Sequence, residues 1–184
     1  MMKISLKAFL ALLVMTFIPA NVYAQADDLD PENTLYLDLV YGRVVIKMFP
    51  DVAPNHVAKI KKLTREGYYD GSYFHRVIDG FMAQTGAPKG QRSGGDGQKL
   101  DAEISDLSHY KGMVSMARPT DINGADSQFF ILRAFAPHLD GLYTIWGEVV
   151  SGMRYVDKIK IGQGPDFEDP DIIIKMQVAA DVKE

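Results

Sequence analysis

The chain has 184 residues, 47% of them hydrophobic and 24% charged, the make-up of an ordinary globular protein with room for one sizeable core. A net charge of −4 argues against a nucleic-acid binder, which would present a basic face. With no cysteine at all, disulfides, thiol chemistry, Cys-based zinc sites and lipid attachment through cysteine are excluded.

Residues 1–24 read as a cleavable signal peptide. Lys3 and Lys7 form a charged start, an apolar run follows from Ala8 to Ile18, and Val22-Tyr23-Ala24 supplies the small-residue cleavage pattern. The apolar run is too short for a membrane-spanning helix of about 20 residues. Cleavage is therefore expected to release the protein without stable membrane association, into the periplasm or, as the alternative, outside the cell. An acidic linker, 25–33, comes next.

Two strand patterns, 34–40 and 43–49, flank a hairpin connection at Tyr41-Gly42. Pro54 opens a helix whose apolar face is Val57, Ile60 and Leu63 and which stops at Gly67. Further strands are expected at 72–78, 81–85, 113–117, 128–132, 143–149 and 171–177. A second helix is expected over 151–161, with Ser151 as N-cap and Met153, Val156 and Ile159 as its stripe. Eight strands and two helices predict a mostly β protein, a closed eight-stranded antiparallel barrel capped by two α-helices. Periodicity alone leaves a sandwich open. No repeat, heptad run or low-complexity tract interrupts this pattern.

Several catalytic templates fail. The Gly-rich stretch 86–97 lacks the G-K-[ST] ending of a phosphate loop and reads as a turn-rich surface connection. His56, His75, His109 and His138 show no metal-ligand spacing, and no G-x-S-x-G elbow occurs. Asp101 and Glu103 read as solvated surface.

The stretch FHRVIDGFMAQTG, 74–86, sets one arginine and one glutamine among apolar side chains. Regular alternation would put Phe74, Arg76 and Ile78 on one side, with Phe81, Met82 and Gln84 following across a turn at Asp79-Gly80. Downstream, Gln128 and Phe130 also share a face. The set describes either an apolar pocket with an arginine and two amides at its rim, or a core with Arg76 snorkelling outward on its stem.

The same residues resemble a cyclophilin, a peptidyl-prolyl cis–trans isomerase. Residues 74–86 match that family's FHR-x-I-x-GFM-x-Q-x-G signature. The blocks GMVSMA (112–117), SQFFIL (127–132) and LDGLYTIWGEVVSGMRYVDKI (139–159) follow in family order. The likeness marks 34–178 as the isomerase domain, leaving 179–184 as a tail.

The resemblance implies an eight-stranded barrel, no cofactor or metal, and proline-containing segments of unfolded or flexible exported proteins as partners. It implies that Arg76 and Gln84 are catalytic. Phe81, Met82, Phe130 and Leu139 would seat the proline ring, and Ala117 and Gln128 would line the adjoining groove. The Arg118 main chain would hold the residue before proline. Arg118, His138 and Tyr143 depart from the best-known eukaryotic pattern, which often has asparagine, tryptophan and histidine there. Imidazole in place of indole at His138 implies weak cyclosporin binding. The expectation is thus a monomeric, exported prolyl isomerase that assists folding, with a catalytically weak proline-peptide-binding chaperone as the alternative.

Overall fold

A computed structural model of the chain describes residues 29–183; the signal-peptide reading and the first part of the linker lie outside them. The strands are β1 (Thr34–Leu39), β2 (Gly42–Met48), β3 (Arg76–Ile78), β4 (Met82–Thr85), β5 (Met113–Met116), β6 (Phe129–Leu132), β7 (Ile145–Ser151), β8 (Gly162–Gln163) and β9 (Lys175–Val178). The helices are α1 (Pro54–Arg65) and α2 (Met153–Val156).

All the pairings are antiparallel, in the order β8-β3-β4-β6-β5-β7-β2-β1-β9. This corrects the expected closed eight-stranded barrel. The sheet is an open, nine-stranded half-barrel whose end strands β8 and β9 do not pair; an isolated bridge, Tyr73 to Ile172, and backbone hydrogen bonds between 71–74 and 171–173 link the segments near them. The extra strand is β8, whose two residues are too short for any alternation to be read. The expected strand at 72–78 contracts to three residues, because Ser72–His75 leaves the ladder after that bridge.

The described residues form two α-helices, as expected, but α2 is a single turn. Beyond it the chain continues in tight three-residue steps, Lys158 N–H to Tyr155 and Ile159 N–H to Val156, which still bury Val156 and Ile159. Ser151 ends β7 and Gly152, at φ 89°, opens the helix in its place. The β1–β2 turn is Val40-Tyr41, one residue earlier than expected, since Leu39 pairs with Gly42. Gly42 cannot be replaced there: its φ is +136°, and a Cβ would stand 2.6 Å from the Tyr155 ring.

The sheet buries side chains on both faces. The larger cluster includes Leu35, Leu37, Ile46, Phe74, Val77, Ala83, Phe129, Ile131 and Trp146, with Val57, Ile60 and Leu63 of α1. Edge-to-face contacts run through Tyr68, Tyr69, Phe129 and Trp146, with successive ring centroids 5.3, 5.5 and 5.4 Å apart. A smaller cluster contains Met82, Met113, Phe130, Leu132, Leu139 and Ile145, with Phe81 and Tyr143 half-buried against it.

Candidate active site

The register across three strands builds the site. Arg76 of β3 lies opposite Gln84 of β4, and Gln84 lies opposite Phe130 of β6. Period-two alternation puts Met82 on the same face as Gln84, and Gln128 on that of Phe130. It fails for Phe74, expected beside Arg76. That side chain is fully buried in the larger cluster, because the regular strand begins only at Arg76 and the alternation does not run back to Phe74. Arg76 itself is exposed.

The smaller cluster opens into a concavity of about 160 Å³ lined by Arg76, Phe81, Met82, Gln84, Ala117, Arg118, Phe130, Leu139 and Tyr143. A chain of polar side chains crosses its rim. Arg76 Nη1 donates to Gln84 Oε1 at 3.3 Å, Gln84 Nε2 to Gln128 Oε1 at 2.8 Å, and Gln128 Nε2 to the Gly94 carbonyl at 2.7 Å. The glutamines are thus fixed from behind, and their amides can orient the guanidinium.

Arg118 braces the opposite wall. Its Nε and Nη2 donate to the Leu142 carbonyl at 3.1 and 2.9 Å, and Nη1 donates to the carbonyls of Pro119 and Thr120. The guanidinium lies 4.6 Å from the Tyr143 ring centroid, and Tyr143 meets Phe130 edge-on at 5.8 Å. His138 is exposed and does not line the concavity. It sits behind Phe81, ring centroids 5.6 Å apart.

A second concavity of about 400 Å³ adjoins the first, sharing Gln84, Ala117 and Arg118 and adding Gln128. Its remaining wall went unread in the sequence: Gly94 and Gly95 of the Gly-rich stretch, with Lys99, Pro119, Gly124 and Asp126. The paired glycines were the available signal. A Cβ on Gly95 would overlap the Asp126 carboxylate, so a side chain there would have to push Asp126 out of its place in the wall.

Glu103 is not the solvated carboxylate expected. It caps α1, accepting from the backbone N–H groups of Asn55 and His56 at 3.0 and 3.1 Å, and from His56 Nδ1 at 2.6 Å. Its own N–H donates to Thr144 Oγ1, next to Tyr143. Burial works to raise the Glu103 carboxyl, but the hydrogen bonds from His56 and the helix amides hold it below its ordinary value. Burial pushes the His56 imidazole down, against the pull of Glu103, and likewise lowers His75. His109, also buried, pairs with Asp140 at 2.8 Å.

An antiparallel half-barrel with an apolar concavity and an arginine–amide rim is the arrangement of a cyclophilin-like prolyl isomerase. Sequence comparison agrees: the profile of the cyclophilin-type peptidyl-prolyl cis-trans isomerase/CLD family matches residues 34–178. A probable peptidyl-prolyl cis-trans isomerase of Brucella suis is 46% identical, covering 94% of this chain and 97% of its own length. Peptidyl-prolyl cis-trans isomerase B of Bacillus subtilis is 40% identical over 66% of this chain and 85% of its own.

Among solved structures, a cyclophilin from Hirschia baltica superposes with a TM-score of 0.75 at 29% identity, over 84% of this chain and 77% of that one. A Cryptosporidium parvum cyclophilin-type isomerase, crystallised in the presence of the dipeptide Ala-Pro, gives 0.72 at 28%, over 79% and 98%. The chain belongs to the cyclophilin-type peptidyl-prolyl cis–trans isomerases and is an isomerase enzyme.

Proposed function

We propose that the enzyme turns X–Pro bonds in unfolded or flexible segments of exported proteins, assisting their folding, with Arg76 as the catalytic group. One observation carries this reading. The Arg76 guanidinium, without a carboxylate partner among the described residues, stands in register with Gln84 and Phe130 at the mouth of the apolar concavity.

Rotation about the peptide bond is opposed by resonance, with a barrier of about 18–20 kcal/mol. For X–Pro bonds the uncatalysed exchange takes roughly tens to hundreds of seconds. No covalent bond need form. In the twisted state the prolyl nitrogen regains its lone pair and accepts a hydrogen bond, which a permanently charged guanidinium can donate. That charge density is absent from the planar ground state, so the interaction accelerates rotation and does not merely tighten binding.

Gln84, held by Gln128, keeps Arg76 aimed. Phe81, Met82, Phe130 and Leu139 hold the proline ring, Tyr143 closes one side, and the Arg118 main chain pairs with the residue before proline. Residues further upstream follow the groove past Ala117 and Gln128. The Ala-Pro dipeptide used with the Cryptosporidium parvum relative supports a proline-containing occupant.

A protease-coupled assay on a proline peptide tests the reading: the slow phase should accelerate with enzyme, whereas a pure binder leaves it unchanged. The start of the sequence supports export, and the mature protein should begin at Gln25, or at Asp27 if cleavage follows Ala26. Mass spectrometry finding Met1 intact on membrane-bound protein overturns that part. The enzyme acts as a monomer, and size-exclusion chromatography with light scattering checks it.

A further inference from the structure

A third concavity, of about 520 Å³, includes Gln163 of β8, which pairs with Arg76 on the side of β3 opposite Gln84. Its lining is His75, Arg76, Arg92, Gln163, Gly164 and Pro165, and it shares only Arg76 with the proline concavity. Arg92 Nη1 donates to the Gly164 carbonyl at 3.2 Å, which ties the Gly-rich loop to β8 and its turn. Neither Arg76 nor Arg92 has a carboxylate partner among the described residues.

His75 lines the concavity beside both guanidiniums, and burial above all lowers its pKa, outweighing its hydrogen bonds, with Arg76 and Arg92 adding to the depression. Asp166 and Glu168 follow on the same loop but outside the lining, and among the ion pairs of the described residues neither pairs with Arg92. A locally cationic concavity beside the reacting bond is unexpected on a chain of net charge −4. Two unpaired guanidiniums flanking one cavity are a receptor for a carboxylate.

We infer that this concavity is a specificity subsite for an acidic residue following the substrate proline. The inference rests on the isomerase reading, which fixes chain direction. The residue before proline pairs at Arg118, so the chain after proline leaves past Arg76 into the third concavity. An aspartate or glutamate at the first or second position there would meet Arg92 directly.

Exchange NMR on three peptides that share Ala-Ala-Pro and continue with Glu, Gln or Lys tests this without a coupling protease. At low salt the enzyme should process the Glu peptide about threefold to fivefold more efficiently than the Gln peptide, the size an exposed ion pair supplies, with Lys slowest. The preference should fade toward 1 M salt, where the Debye length is about 3 Å. Arg92→Lys should keep the order and Arg92→Glu should invert Glu and Lys.

Equal efficiency for the Glu and Gln peptides at low salt, measured on the unaltered enzyme, overturns the subsite and leaves the isomerase reading standing. An order unchanged in folded Arg92→Glu does the same. No acceleration of any of the three peptides brings down the isomerase reading, and the subsite with it.

Discussion

Phe129 and Phe130 are neighbours in sequence, of one residue type and on one strand, yet they belong to different worlds. Phe129 is fully buried, wedged edge-on between Tyr69 and Trp146 in the cluster covered by α1. Phe130 points through the sheet to the smaller cluster and forms the floor of the proline concavity. The first face is closed by a helix; the second is covered by the turn at Ala136–Leu139, half-buried rings and the Arg118 brace, and stays open at the concavity. Stability is therefore concentrated on one face of the β4–β6–β5 ladder and function on the other, with a single peptide unit between them.

That division can be broken by mutation. Phe129→Ala opens a sealed cavity and should cost about 3–5 kcal/mol, while activity per folded molecule survives. Phe130→Ala faces an open pocket and should cost about 1.5–3 kcal/mol, mostly transfer energy, while raising KM for proline peptides. Chemical denaturation and steady-state kinetics on both variants measure this. A Phe129 variant losing more kcat/KM per folded molecule than the Phe130 variant would contradict the division.

Arg76→Ala probes the rim of the same face. It should lower the isomerase rate by about 10²–10³, the effect of losing one preorganised donor at a developing charge. Arg76 is exposed and makes a single 3.3 Å side-chain bond, so unfolding should shift by about 1 kcal/mol or less. Arg76→Lys should recover little, because a point charge does not reproduce the planar fork. The alternative, a core arginine that merely snorkels, predicts the reverse: stability lost and turnover kept.

The open face was more legible in the sequence than the architecture around it. Alternation set Gln128 beside Phe130 at the start of β6, and Phe81, Met82 and Gln84 do follow across the Asp79-Gly80 turn to line the same concavity. It misplaced Phe74, where the chain leaves the ladder for a bridge to Ile172. The apolar spacing of Met153, Val156 and Ile159 was real, but one helical turn plus tight turns buries such a spacing as well as a long helix does. Closure of the sheet was beyond reach, since it hinges on how β8 and β9 end and not on any strand pattern. The groove wall at Gly94 and Gly95 carries no periodicity. Its only trace is a glycine pair whose meaning depends on Asp126, far off in sequence.

His138 tests how far the open face extends. Its imidazole lies behind Phe81 and outside the concavity, so it adds little apolar surface to a large ligand spanning the rim. Cyclosporin should bind weakly, and His138→Trp should improve binding by about 1–3 kcal/mol through added aromatic burial. Isothermal titration of both proteins measures the difference. Nanomolar inhibition of the unaltered enzyme would remove position 138 from the ligand edge.

The smallest effect belongs to the closed face, where His56 is buried at the start of α1. The Glu103 carboxylate can only accept, so His56 Nδ1 must carry the proton between them, and Nε2 is left buried without a partner. Protonating Nε2 would bury a charge that meets no protein acceptor among the described residues, which is why burial depresses the imidazole pKa. The sign follows directly. The unfolded chain takes up this proton near the ordinary histidine value of about 6.5, while the folded chain resists it, so stability is full above that pH and declines below it. His75, also depressed, acts in the same sense. The Glu103 carboxyl, held low in the fold, adds a loss only at more acid pH, as its unfolded value of about 4.3 is passed. Denaturant midpoints should therefore fall between pH 7.5 and 5.5, and fall less in His56→Gln, which keeps a donor for Glu103 but cannot titrate. An identical decline in that variant would show that His56 is not the group taking up the proton, and its buried site at the start of α1 would then contribute nothing to the pH dependence.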